Sequence, residues 1–380
     1  SSYAMKYLLF LSTFASVVLS LRDLGAPGWS CDADLMKKSS KVPTNVHALR
    51  PADIDIIAAL GDSLTAANGA GAEGEDVLAI AIQYRGMHWA AGGDQTLDEH
   101  ITVTNILKKF NPNIFGYSIR TGSANVWETA HLNAGIPGAH SGGMLEQAQD
   151  MVRRMREHPE IDMANSWKMV HLFIGGNDVC GWCYREDNSG DGNHYRDNIR
   201  RAIQYLKDNV PRTIVILTGM IDMSLLRRID NAHLICKEIH TFECKCEQNA
   251  TVTDQMLQDI CQDYMVKMQE LQDSGEFDTT DDFTMIIEPF LETTPDISRN
   301  PDGTPNMDFF APDCFHFRAF GHAVTAKNLW NNMMQPVGGQ MPANLTDNET
   351  PSANPLLCPD KACPFIRTTK NSDDCSKYNK

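Results

Sequence analysis

The sequence predicts an α/β fold with a mainly parallel sheet covered by helices on both faces. Short apolar runs have the profile of buried strands, segments of helical period lie between them, and glycine or polar turns close the runs. The first run, Ile54 to Leu60, leads straight into Gly61-Asp62-Ser63, after which a helix is expected to start. Further strands are expected at His131 to Asn133, Met169 to Ile174, Thr213 to Leu217 and Met285 to Pro289. Helix faces are drawn by Met144, Leu145, Ala148, Met151, Val152 and Met155, and by Tyr195, Ile199, Ala202, Ile203 and Leu206. The same period recurs at Met256, Leu257, Ile260, Tyr264, Met268 and Leu271, and at Ala323, Val324, Leu329, Trp330 and Met333. The methionines track these faces, so they read as core filler.

Composition narrows the function. The chain has 380 residues with 33 basic and 49 acidic side chains, a net charge of −16. Such a balance opposes binding to nucleic acid or to an anionic membrane by charge. Met5-Lys6 precedes an apolar run from Tyr7 to Leu19, and residues 1–20 are expected to be a secretory signal peptide, with 1–4 extraneous to it. Export would suit eleven cysteines and the glycan acceptor triplets at Asn249, Asn344 and Asn348. The expected organisation is a lead-in over 21–50, a catalytic unit over 51–338 and a cysteine-containing tail over 339–380.

Parallel sheets place chemistry at the carboxyl ends of their strands. Ser63 stands on the turn after the first run, where a hydroxyl can project as a nucleophile. Asn133-Ala134-Gly135-Ile136-Pro137-Gly138 follows the second, and a glycine there leaves a backbone N–H open to a substrate oxygen. Asn177 follows the Met169 to Ile174 run and offers a side-chain amide at the same edge. Asp313-Cys314-Phe315-His316 puts a carboxylate three residues from an imidazole, so the acid can fix the tautomer of the base.

The order Ser, Gly, Asn and Asp-x-x-His resembles the four blocks of the GDSL, or SGNH, hydrolases. Tyr84-Arg85-Gly86-Met87-His88-Trp89, Gly92-Gly93-Asp94, Asn105-Ile106-Leu107, Phe110-Asn111-Pro112, Thr121-Gly122 and Leu329-Trp330-Asn331-Asn332-Met333 are similar to its phospholipase B branch. The resemblance implies a three-layer, flavodoxin-like α/β/α sandwich and an ester hydrolase acting on phospholipids and lysophospholipids without calcium. It makes Ser63 the nucleophile, His316 the general base and then acid, and Asp313 the orienting carboxylate. The oxyanion hole would be the N–H groups of Ser63 and Gly138 with the Asn177 amide, Gly135 being an alternative to Gly138. No cofactor or metal is needed. Some members of the branch carry several tandem units on a membrane anchor; here one unit with transient membrane-surface contact and no stable anchor is expected. Two other readings are an esterase for acetyl or short-chain esters and a non-catalytic lipid-binding protein; the complete residue set speaks against the latter.

Two cysteine patterns could mislead. Cys180-Gly181-Trp182-Cys183 looks like a redox pair, and Cys236, His240, Cys244 and Cys246 look like a zinc set. Export favours disulfides for both, with the pairing left open and at least one thiol unpaired or intermolecular because eleven is odd.

Overall fold

The structure, a computed structural model, describes residues 24–185, 190–230, 232, 235–292, 294–343, 345 and 355–379. The expected signal segment over 1–20 and the acceptors Asn344 and Asn348 lie outside the described residues. Four strands, β1 (Ile54–Gly61), β2 (Trp167–Phe173), β3 (Thr213–Thr218) and β4 (Phe283–Glu288), form one parallel sheet in the order β1-β2-β3-β4. Nearly every residue in them is buried, as expected of strands covered on both faces.

The helices are α1 (Val103–Phe110), α2 (Trp127–Ala130), α3 (Met144–Glu157), α4 (Gly176–Trp182) and α5 (Gly192–Asn209). They continue with α6 (Cys236–Glu243), α7 (Lys245–Gln248), α8 (Asp254–Asp273), α9 (Ala319–Met333) and α10 (Thr369–Asp373). Helices α3, α5 and α8 each link successive strands and pack side by side. Crossovers of one hand in a sheet of sequential order place them on one face. The opposite face carries α1 and α9, which touch each other. There Trp89 stacks on His322 of α9 at 5.4 Å and meets Phe173 of β2 edge-on at 5.3 Å. Thr102, Asp191 and Thr253 start α1, α5 and α8 by accepting from backbone N–H groups in the first turn. Among the described residues no helix is long and apolar enough to cross a membrane.

Two expected elements do not form. His131 to Asn133 is not a strand: His131 has φ 43°, which breaks the extension, and only an isolated bridge joins Asn133 to Ala59. Together with Phe115 it nevertheless satisfies the outer edge of β1, through Ile57 N to Phe115 O (2.9 Å) and Ala59 N to Leu132 O (3.1 Å). No helix follows Ser63 either. Residues 62–67 make turns, and Ala67, at φ 54°, ends the first coil. Met256 is exposed at the first turn of α8, whereas the other residues of that face are buried.

The lead-in and tail meet. Cys31 is bonded to Cys358, Trp29 donates to Leu356 O at 3.0 Å, and Asn371 donates to His47 O at 2.9 Å. Trp330 of α9 reaches the same segment, donating to Leu357 O at 2.8 Å.

Candidate active site

Gly61 ends β1 at φ +156°, and a Cβ there would lie 2.1 Å from Thr65 Oγ1 and 2.3 Å from Phe173 O. Only glycine lets the chain turn so close to β2. Gln147 of α3 clamps this residue from both sides, accepting from Gly61 N (2.9 Å) and donating to Gly61 O (2.8 Å). The next residues are Asp62, fully buried, whose carboxyl is pushed up to about 6 by burial, and Ser63, which is 8% exposed.

His316 Nε2 lies 2.7 Å from Ser63 Oγ, and His316 Nδ1 lies 2.6 Å from Asp313 Oδ2. With the ring neutral, Nδ1–H donates to Asp313 and Nε2 accepts from the hydroxyl, the arrangement in which a serine proton can leave. Asp313 is fully buried, and its second oxygen accepts from the N–H groups of Phe315 (3.0 Å) and His316 (2.9 Å). Burial alone would favour its neutral form, but the His316 ring and these donors hold it below the usual carboxylate range. Burial likewise works against a charged His316, yet Asp313 first, then Glu243 and Asp62, push the imidazole up to about 9.

The second edge of the site is the loop before α3. Gly138 has φ +76°, and nothing lies within 4 Å of the place a Cβ would take, so its backbone is open to a ligand. Neither its N–H nor that of Ser63 has a partner among the described residues. Asn177, in the first turn of α4, donates through Nδ2 to Ala139 O at 2.9 Å, which brings the amide beside the Gly138 segment. Asp178 accepts from Ser141 N and Oγ, both at 2.8 Å, and Ile136 N donates to Gly61 O at 3.0 Å. These bonds tie the loop to α4 on one side and β1 on the other. Gly135, the alternative donor, is corrected: its N–H is taken by Asn133 Oδ1 at 3.2 Å, and its α-carbon is pressed against Thr65.

Sequence reasoning gives Arg85 no role beyond membership of its block, yet it braces this loop. Fully buried, it donates to Gly122 O, Asn133 O, Asn133 Oδ1, Gln83 Oε1 and Gly135 O. Burial lowers its guanidinium to about 9. A buried arginine surrounded by carbonyls leaves no local sequence signal.

The cysteines resolve into disulfides. Cys180 pairs with Cys244, Cys183 with Cys246 and Cys236 with Cys314; Cys363 and Cys375 form a further pair in the tail. The CxxC residues thus bond across to a second segment rather than to each other. The zinc reading loses its three thiolates, and His240 Nδ1 bonds Asp230 at 2.8 Å. Cys261 is the free cysteine, buried, its thiol pushed up to about 12 by burial. Asn249, the described sequon, is partly exposed and its Oδ1 accepts from Thr251 N and Oγ1.

Comparison with known proteins places these features in a family context. The family model described as GDSL-like Lipase/Acylhydrolase matches residues 57–329. Relatives named phospholipase B1, membrane-associated, are 40% identical over 340 residues in Mus musculus, 38% in Rattus norvegicus and 37% in Homo sapiens. Each match covers 88% of this chain but only 22%, 23% and 23% of the respective relative, so the chain spans less than a quarter of their length.

Proposed function

The chain belongs to the GDSL-like lipase/acylhydrolase family, an ester-hydrolysing family, and from that premise we propose that it removes fatty acyl chains from phospholipids and lysophospholipids through an acyl-enzyme on Ser63. The continuous relay Asp313, His316, Ser63, at 2.6 and 2.7 Å, is the observation that carries the reading. Ser63 Oγ attacks the ester carbonyl carbon while its proton passes to His316 Nε2. The negative oxygen of the tetrahedral intermediate accepts from Ser63 N–H, Gly138 N–H and Asn177 Nδ2. Collapse breaks the bond to the glycerol oxygen, which takes the proton from Nε2. Water then attacks the acyl-enzyme, gives a proton to His316, and releases the fatty acid as Ser63 regains its hydrogen. Asp313 stays ionised throughout and holds the ring in place.

Phospholipid as substrate draws support from the name the relatives carry and from apolar side chains near the site. Leu78 is 81% exposed on a segment tied to the Ser63 turn by Gly69 N to Ile82 O, and Phe242 is 82% exposed beside Glu243. Such groups suit transient contact with a lipid surface. The same proposal includes export, with residues 1–20 as signal peptide and Asn249, Asn344 and Asn348 as glycan sites. Five disulfides support it. The catalytic unit is taken as 51–338 and residues 339–380 as a cysteine-containing tail beyond it.

The test is product analysis on a diacyl phospholipid, a lysophospholipid and a short-chain ester, with wild type and Ser63→Ala side by side. Fatty acid released from both lipids by wild type alone is expected, with a fluorophosphonate labelling Ser63. Turnover of the short-chain ester alone would replace lipid by small esters as substrate. An active Ser63→Ala would remove the mechanism.

A further inference from the structure

The Asp313 and His316 pair has a third neighbour. Glu243 ends α6, and one of its carboxylate oxygens, one of Asp313 and a ring nitrogen of His316 lie within 4.8 Å of one another. Its Oε2 is buried without a hydrogen-bond partner among the described residues. Burying a carboxylate oxygen without a donor is costly, so its position must be imposed by the surroundings. Two covalent links impose it. Cys236, at the start of α6, is bonded to Cys314, between Asp313 and His316. Cys244, directly after Glu243, is bonded to Cys180 in α4, three residues from Asn177. Both ring nitrogens of His316 are committed, to Asp313 and Ser63, which leaves this trio no free imidazole ligand for a cation.

We propose that Glu243 is a positioning residue for the reaction: a second carboxylate, clamped beside the ring by disulfides, that stabilises the imidazolium formed when Ser63 gives up its proton. The inference rests on His316 being the base for Ser63. Charge appears on the ring in the transition state, and a fixed negative group in a buried site opposes that charge more strongly than water would. The groups facing His316 are Asp313 on its own loop, Asp62 and Ser63 from the turn after β1, Glu243 from α6 and His322 from α9. Glu243 in turn faces Asp313, His316 and His240; burial and then Asp313 push it up to about 7. The arrangement makes His316 a stronger base but keeps it protonated to higher pH.

In Glu243→Gln, kcat/KM on a soluble short-chain ester should show an acid limb moved down by about 1 pH unit and a high-pH plateau about three- to tenfold lower. KM and the thermal midpoint should stay those of wild type. Glu243→Asp, which retains the charge, should keep the limb where wild type has it. A second readout does not need activity: the His316 ring is titrated by NMR in Ser63→Ala and in Ser63→Ala/Glu243→Gln, and should titrate at lower pH in the double variant. An unchanged ring titration overturns the proposal, whatever esters the enzyme accepts. A lower plateau with an unmoved limb also overturns it, because a purely structural role behaves that way. A shifted ring titration in a protein that hydrolyses no ester would support the Glu243 coupling and overturn the hydrolase reading instead.

Discussion

Ser63 and His316 share one hydrogen bond but are held by different means. The serine follows β1, whose neighbours on both faces are apolar and whose last residue is gripped by Gln147. Asp313 and His316 sit outside any helix or strand, with Cys314 between them at φ 64°. Their loop is fastened to α6 by one disulfide, and two more run from the Cys244 to Cys246 stretch to α4 and its end. No described disulfide touches the sheet. Hydrophobic burial is strong but non-directional, which suffices for a strand fixed by its ladder. An irregular loop has no ladder, and cross-links restrict it instead. The two halves should therefore fail differently when disturbed.

The largest effect is expected at the irregular half. Asp313→Asn should lower kcat by about 10⁴ with the fold intact, because the amide stabilises neither the tautomer nor the imidazolium; steady-state kinetics with near-UV circular dichroism would check it, and a loss under tenfold would leave His316 working alone. Asn177→Ala should lower kcat by about 10²–10³ while KM stays within a few-fold, since the bond proposed from its amide to the oxyanion would strengthen in the transition state. A raised KM at constant kcat would make the amide a ground-state binder.

A direct contrast pairs a staple with a core residue. Cys236→Ser with Cys314→Ser should lower kcat/KM about tenfold or more, by loosening the His316 loop over distances where small misplacements matter. Ile216→Ala in β3 should cost about 2–5 kcal/mol of stability and leave kcat/KM of the folded protein unchanged. Urea unfolding beside activity would separate the two; equal losses of both kinds in both variants would erase the proposed difference between the halves.

The smallest effect per group concerns four buried histidines, His88, His171 and His322 around Trp89 and His47 where the lead-in meets the tail. Burial pushes His88 and His322 well below their usual value, His171 to about 3 and His47 to about 4. The unfolded chain binds protons at these residues below its ordinary value near 6.5 while the folded chain does not, so these residues make stability fall as pH drops below 6.5. Each contributes up to about 1.4 kcal/mol per pH unit, ceasing below its folded value. His316 acts oppositely: pushed up to about 9, it adds stability that is full below 6.5 and is lost as pH rises through 9. The buried carboxyls of Glu288, Glu243 and Asp62, raised to about 8, 7 and 6, likewise add stability as pH falls through those values. Urea midpoints at pH 7.5, 6 and 5 for wild type and His171→Gln would isolate one histidine's share: the variant should lose less stability on acidification than wild type, and equal changes in both would contradict that share.

Much of this site was legible because the informative residues sit in local patterns. Ile54 to Leu60 followed by Gly61-Asp62-Ser63 is a strand and its turn, and Asp313 with His316 is a spacing of three. Periodicity located α3, α5, α8 and α9 for the same reason. What was not legible depends on contacts between distant segments. The left-handed backbone at His131 cancelled an expected strand. The disulfide partners lie 63 to 78 residues apart around the site, and Glu243 comes beside His316 from α6, an element far from it in the chain. Arg85 and Gln147 carry their roles through backbone carbonyls and amides, which every residue possesses and no motif records.

The bond between Cys31 and Cys358 spans a sequence separation of 327 and encloses the sheet, the serine and the histidine. Topologically, the stretch between these cysteines is a ring rather than a line. A protease that cuts the ring once opens it but releases nothing, so a nicked molecule keeps its halves at each other's disposal for reassembly. Only a reductant, or a second cut, can divide the serine's share of the chain from the histidine's.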